Sequence, residues 1–154
     1  MKTLDDYLKS NRLKRSSMSA EMIRKELRVA MDDMAEAENG LDRGAYKWTT
    51  IQAYYAVFHA MRSLLYLAGL REESHVALKV AIRELYFEQG KISDDAFRAF
   101  ERGMELREMA DYKATFSEDT ARWLVDKGRI CLAEVEKLIN QVDAPNLITP
   151  KDEM

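Results

Sequence analysis

Three side chains near the end of one predicted helix could act on an anionic substrate. Beyond the apolar residues Phe100 and Met104, the helical period places Arg107 and then Asp111 on the inward face. A guanidinium binds phosphate or carboxylate groups through paired N–H donors. Tyr112 adjoins this pair and can donate a hydrogen bond, but a phenol with a pKa of about 10 is a poor general base at neutral pH.

Two interpretations of Arg107 and Asp111 are open at this point. On a helix surface, an Arg four residues before an Asp is the less favourable order for an ion pair. A surface salt bridge is therefore a poor explanation for the inward placement of Arg107 and Asp111. A buried charge needs partners, because an uncompensated one is costly. The pair is therefore either a structural one, bonded to the hydroxyl of Tyr54 or Tyr55, or part of a functional site in a cleft or dimer interface.

A central helix carries polar residues within an apolar stretch, namely Tyr54, Tyr55 and His59. His59 has aromatic and apolar neighbours. We interpret it as a core or interface histidine in preference to a catalytic one.

A third group of polar residues surrounds the start of the following helix. His75 comes directly after Ser74, which can cap the helix, while Lys79 lies one turn further and Arg71 lies in the preceding loop. Free N–H groups and the dipole at a helix N-terminus attract anions. Arg71, His75 and Lys79 thus form a predicted phosphate- or nucleotide-binding corner.

Five long segments with helical periodicity must position these residues, and no alternation typical of strands competes with them. Gly40, Gly69 and Gly90 are predicted stops, and Ser93 and Ser117 are predicted caps. Gly128 lies inside an apolar stripe, where a missing side chain lets two helices approach. The predicted helices cover about residues 19–39, 45–68, 74–90, 93–112 and 117–140, with one short extra helix in residues 3–10. Short connections favour an all-α, antiparallel up-and-down bundle of four main helices plus a shorter one.

Composition fits a single domain, since the 154 residues are 47% hydrophobic and 33% charged. We divide the chain into a basic N-terminal extension (1–16), a helical bundle (17–142) and a flexible C-terminal tail (143–154). The net charge is −3, although residues 1–28 contain eight Lys/Arg against four Asp/Glu. The net negative charge of the chain argues against nucleic-acid binding that is purely electrostatic. The basic N-terminal extension could still contact phosphate groups or an acidic partner.

No secretory signal or lipid-facing span is evident, so we expect a cytoplasmic protein without membrane association. The lone Cys131 is expected to be buried. With two histidines, one cysteine and no metal-ligand spacing, we assign no metal and no cofactor. Trp48 and Trp123 are predicted to be core or interface anchors.

Two stretches carry a family resemblance. The segment YYAVFHAMRSLL at 54–65 and the segment LREMADY at 106–112 resemble the HEPN (higher eukaryotes and prokaryotes nucleotide-binding) domains. Within them they are similar to small stand-alone prokaryotic proteins with a YYAxFHAxRxLL-like central helix and an Arg-x-x-Ala-Asp-Tyr segment. The resemblance covers roughly residues 17–140.

The resemblance implies a HEPN-like bundle, a homodimer paired through the second and fourth long helices, and a nucleotidyltransferase partner in a toxin–antitoxin-like module. HEPN ribonucleases carry an Arg-x(4–6)-His motif and cleave RNA without metal, using the 2′-hydroxyl as nucleophile. Arg107 matches the motif arginine, but Tyr112 stands five residues later and no histidine follows His75. Metal-free cleavage is therefore expected to be absent or very weak. The alternatives are a metal-independent endoribonuclease with a remodelled site and a nucleotide-binding regulatory domain.

Overall fold

The structure is a computed structural model that describes the backbone of residues 1–153 and the side chains of residues 1–142. Its helices and strands follow one another in this order: α1 Leu4–Lys9, β1 Leu13–Arg15, α2 Ala20–Asp42, α3 Tyr46–Leu67, β2 Leu70–Glu72, α4 His75–Ile82, α5 Asp94–Tyr112 and α6 Glu118–Glu153. A π-helical turn, Arg83–Phe87, continues α4. The predicted all-α bundle of four main helices (α2, α3, α5 and α6) with the shorter α4 is confirmed.

The most buried element of the bundle is α3, which packs against α2, α5 and α6. Apolar residues occupy more than one side of this helix, so more than one neighbour must cover it. Its fully buried large side chains are Tyr54, Val57, Met61, Leu64 and Leu65. Within the described residues no helix, α3 included, is both long and apolar enough to cross a membrane.

Three serines begin helices as the sequence predicts. The Ser74 hydroxyl accepts a hydrogen bond from the Ala77 N–H at 3.1 Å at the start of α4. Ser93 and Ser117 accept equivalent 3.1 Å bonds at the starts of α5 and α6. Each hydroxyl satisfies a backbone donor that the first helical turn leaves without an intrahelical partner.

Two glycines within helices, Gly40 and Gly128, allow especially close packing. The sequence predicts that Gly40 ends the first long helix, but α2 continues to Asp42. A Cβ at Gly40 would lie 2.6 Å from Thr49 Oγ1, so this glycine lets α3 approach α2. At Gly128 a Cβ would lie 2.6 Å from Met34 Cε and 3.2 Å from Val57 Cγ2, which confirms the predicted close approach.

The sequence does not predict the small sheet, because three-residue strands are too short to show a period of two. β1 pairs with β2 in antiparallel register, with Leu13 opposite Glu72 and Lys14 opposite Arg71. Leu13 is 1% exposed. The segment assigned to an N-terminal extension therefore packs onto the bundle instead of standing apart from it.

Two further expectations agree with the structure only in part. Trp48 is 58% exposed and does not anchor the core, so its role as an interface anchor stays a prediction, whereas Trp123 packs against the core. The backbone of α6 is helical to Glu153, where a tail was predicted. Side chains of 143–154 lie outside the described residues, and the flexibility of that segment stays a prediction.

Replacing Phe58 by Ala should lower the free energy of unfolding by about 3–5 kcal/mol, because Phe58 is 4% exposed and its removal leaves a cavity. Trp48→Ala is the matched control on the same helix, and a change within about 0.5 kcal/mol is expected for this exposed position. Urea unfolding of both variants measures the difference. Equal losses in the two would show that α3 is wrongly oriented.

Candidate functional site

Arg107 reaches from α5 towards the exposed side of α3. Its Nη2 donates a 2.8 Å hydrogen bond to the Tyr55 hydroxyl and lies 3.2 Å from Asp111 Oδ2. The guanidinium carbon also lies 5.3 Å from the centre of the Tyr55 ring and 5.2 Å from that of Tyr112. The side chain is 17% exposed. The contacts predicted by the structural interpretation are thus present, but they do not seal the guanidinium from solvent.

One N–H donor of Arg107 forms no hydrogen bond within the described part of the protein. Its Nε is buried and has no hydrogen-bond partner there. Tyr55 and Asp111 both contact Nη2, at one end of the planar group. A guanidinium recognises phosphate or carboxylate with two parallel N–H donors. The group is therefore held in place by two neighbours, and the exposed part of its side chain leaves N–H donors that an anion from solvent can reach.

His75 is the first residue of α4 and points at the central helix. Its Nδ1 lies 2.8 Å from the Tyr54 hydroxyl, and its ring stacks on Phe58 with centroids 4.4 Å apart. Burial, and then the positive charge of Arg107, lower the pKa of His75. The imidazole is therefore neutral at pH 7. Burial raises the pKa of Tyr54 well above its usual value, so the phenol keeps its proton.

Tyr54 and Tyr55 join His75 to Arg107. The two tyrosines are consecutive on α3, and their ring centres lie 5.5 Å apart. Tyr54 binds His75, and Tyr55 binds Arg107. We call His75, Tyr54, Tyr55, Arg107 and Asp111 the Arg107 cluster. The sequence argument against an imidazole was that no histidine follows His75, whereas the structure brings His75 itself to this cluster from α4.

His59 belongs to a second polar group on the same side of α3 as Tyr55, one turn further along the helix, with the two ring centres 6.5 Å apart. Its Nδ1 lies 2.5 Å from Glu26 Oε2 on α2. One turn further, Arg62 binds Glu72 of β2 through Nε at 2.9 Å and Nη2 at 2.7 Å. Because these contacts join α3 to α2 and to the sheet, they favour a structural role for His59 over a catalytic one. Sequence reasoning missed Glu26, Arg62 and Glu72, although the spacing of three residues from His59 to Arg62 could have indicated a shared helical face.

The predicted corner of Arg71, His75 and Lys79 is not assembled by contacts among the described residues. Arg71 is exposed on β2, where its Nη2 lies 3.5 Å from Glu73 Oε1. His75 instead binds Tyr54. Lys79 is half-buried on α4. The role of the three residues in phosphate binding stays a prediction.

No group of three or more His, Cys, Asp or Glu side chains in the described part of the chain could hold a metal ion. Cys131 is fully buried, as predicted, and burial raises the pKa of its thiol. A thiol in this state is a packing group, because the thiolate is the form that binds metals and attacks electrophiles.

An all-α bundle whose central helix bears tyrosines and a histidine, with an arginine at the end of a neighbouring helix, defines the class as a HEPN-like helical domain. The chain belongs to the HEPN domain family, which matches residues 23–144.

Three relatives agree with this assignment. A UPF0332 protein of Archaeoglobus fulgidus is 31% identical over 121 residues, covering 77% of this chain and 93% of the relative. A second UPF0332 protein, from Thermotoga maritima, is 28% identical over 91 residues, or 58% of this chain and 69% of the relative. A Methanocaldococcus jannaschii protein whose name provisionally calls it a toxin is 23% identical over 118 residues, which cover 75% of this chain and 87% of the relative.

The lowered pKa of His75 makes stability depend on pH in a defined direction. An unfolded histidine has a pKa of about 6.5, so the unfolded state binds the proton more tightly than the folded state does. The contribution of neutral His75 to the free energy of unfolding is therefore present above about pH 6.5 and is lost as the pH falls towards the folded-state pKa.

The matched comparison is urea unfolding of the wild type and His75→Gln between pH 8 and pH 5. We expect the difference in the free energy of unfolding between the two proteins to shrink as the pH falls. A difference that stays constant with pH, or that grows on acidification, would show that the pKa of His75 is not lowered.

Proposed function

We propose that this HEPN protein binds RNA through Arg107 and works with a nucleotidyltransferase in a toxin–antitoxin-like module. The observation that carries the RNA part is the state of Arg107, which Tyr55 and Asp111 hold through Nη2 while the side chain stays 17% exposed. A phosphodiester oxygen is a charge-assisted acceptor for the exposed N–H groups of such a guanidinium. The provisional toxin name of one relative supports the module.

The surroundings of Arg107 suit a nucleotide better than a bare anion. The Tyr112 ring lies beside the guanidinium and is 72% exposed. Bases stack on exposed aromatic rings with little sequence preference, and arginine adds a cation–π contribution. Arg107 thus supports the phosphate contact, and Tyr112 supports the base contact.

Two partners complete the proposal. A homodimer would pair through α3 and α5, and the nucleotidyltransferase would bind the dimer. Both rest on the family resemblance, and the exposed residues of α3 and α5, among them Trp48 and Tyr112, offer a surface for pairing.

Light scattering of the protein, alone and with a nucleotidyltransferase encoded by a neighbouring gene, tests both partners. A monomer mass at tens of micromolar would contradict the dimer.

Arg107→Ala should weaken binding of a labelled single-stranded RNA by about tenfold to hundredfold, since a hydrogen bond to a charged group contributes about 1.5–3 kcal/mol. Arg107→Lys should fall between Ala and wild type, because an ammonium keeps the charge but loses the planar donor pair. Fluorescence anisotropy at fixed salt measures the affinities, and thermal melting reports the fold.

Arg102→Ala is the control, because Arg102 lies on the same helix, is 52% exposed and pairs only with Glu105 among the described residues. Its effect on RNA affinity should be small. If Arg107→Ala bound RNA as tightly as Arg102→Ala while both stayed folded, Arg107 would be a structural residue and this part of the proposal would fail.

A metal-independent endoribonuclease is a second candidate, favoured by the presence of His75 in the Arg107 cluster. With Nδ1 bound to Tyr54, Nε2 is the ring nitrogen left for proton transfer. When Nδ1 carries the ring proton, Nε2 can take the proton of an RNA 2′-hydroxyl while its oxygen attacks phosphorus. The bond from phosphorus to the 5′-oxygen then breaks, that oxygen takes a proton from water, and Arg107 stabilises the phosphoryl oxygens.

Wild type in EDTA should then cleave RNA to a 2′,3′-cyclic phosphate and a 5′-hydroxyl, and His75→Gln should lose cleavage while keeping RNA affinity. An RNA with a 2′-deoxynucleotide at the cleaved position is the substrate control and should stay intact. Tight binding without any cleavage would eliminate this candidate and leave RNA binding as the function.

A further inference from the structure

The outward face of the two-stranded sheet concentrates positive charge. In the antiparallel register Lys14 lies opposite Arg71, and the Glu73 N–H donates a 2.8 Å bond to the Arg12 carbonyl, which places those two residues opposite each other. Side chains alternate along a strand, so Arg12, Lys14, Arg71 and Glu73 share one face. All four are exposed. We call these four residues the basic sheet face.

The inward-facing side chains of the two-stranded sheet anchor it to the helical bundle. Leu13 and Leu70 are buried, at 1% and 4% exposure. Glu72, between the outward residues Arg71 and Glu73, points inward and binds Arg62 at 2.7 Å. A two-stranded sheet is marginal by itself, so these contacts supply the rigidity that keeps the outward residues in register.

The charges on this face are not balanced within the described part of the protein. Glu73 Oε1 lies 2.8 Å from Lys14 Nζ and 3.5 Å from Arg71 Nη2, so one carboxylate serves two cations. Like charges directly opposite one another on a sheet are destabilising. Lys14 and Arg71 keep side-chain exposures of 44% and 48%, so both can reach a ligand. An anion with several charges would relieve this repulsion.

The place of this face in the chain indicates which anion it fits. β2 ends at Glu72, Ser74 caps α4, and His75 enters the Arg107 cluster, so only three residues separate Arg71 from His75. Outward residues on one strand are about 7 Å apart, which suits contacts to successive charges along an extended polymer. In a chain with net charge −3, a local basic face directs a polyanion to this region.

We propose that the basic sheet face is a second contact surface for the phosphate backbone of single-stranded RNA, which extends from the Arg107 cluster across β2 and β1. The inference rests on the proposed RNA-binding function. Arg12, Lys14 and Arg71 contact phosphates without reading sequence, and Glu73 gives up its two cations when RNA binds. The surface supplies affinity and orientation, whereas Arg107 holds the phosphate at the cluster.

The test is the salt dependence of RNA binding. Lys14→Gln/Arg71→Gln removes two proposed phosphate contacts, and each contact to a single strand contributes about 0.7 to the slope of log K against log salt. The slope of the double variant should therefore be shallower by about 1.4. Arg122→Gln/Arg129→Gln is the control, because it removes the same charge from exposed positions on α6 (54% and 50%), and its slope should equal that of wild type.

Separate variants distinguish this inference from the proposed function. If the slope of Lys14→Gln/Arg71→Gln equals that of the control while Arg107→Ala still weakens binding, the sheet face is not an RNA surface and the function stands. If the slope changes and Arg107→Ala has no effect, the sheet face binds RNA and the Arg107 proposal fails. Absence of RNA binding by wild type at low salt overturns both, and so does binding only to phosphatidylserine vesicles or to an acidic protein.

Discussion

The burial of α3 is the constraint on which the rest of this structure depends. Between Thr49 and Leu65 the positions that are not buried are Gln52, Tyr55, His59 and Arg62, which follow one another at three- and four-residue spacing. α2, α5 and α6 cover the remaining circumference. Any polar chemistry of the central helix must therefore lie on this one stripe, or reach a buried residue such as Tyr54 from a neighbouring element.

Each element beside this stripe sends a polar side chain to it. Glu26 comes from α2 to His59, Glu72 from β2 to Arg62, and Arg107 from α5 to Tyr55. Removing one member of a partly buried pair leaves the other without compensation, so loss of any of these contacts should destabilise the packing of that element on α3. They also mean that changes at the candidate site act on packing as well as on binding. Affinity and stability must therefore be measured on the same variants.

The helices could be predicted from the sequence because each long segment repeats apolar residues with one period, and α4, α5 and α6 begin at a capping serine. The role of Gly40 was wrongly predicted, because the sequence alone does not distinguish a glycine that ends a helix from one that lets a neighbouring helix pack closely. The sheet could not be predicted, since its three-residue strands are stabilised by Leu13, Leu70 and the Glu72–Arg62 pair, which are tertiary contacts. Whether Trp48 lies in the core or on the surface could not be predicted, because an aromatic residue at a helix start does not by itself show which side faces solvent.

At the site, the contact from Arg107 to a neighbouring tyrosine hydroxyl could be predicted, since the helical period put that arginine inside. The approach of His75 could not, because it depends on the path of the chain between two helices. Gly69 turns that chain with φ at +77°, β2 pairs with β1, and the Ser74 cap fixes where α4 begins. This short segment directs Arg71 outward, Glu72 to Arg62 and His75 to Tyr54. A shift of one residue in the register of β2 would exchange the inward and outward residues, so the pairing of β1 with β2 controls both the surface and the site.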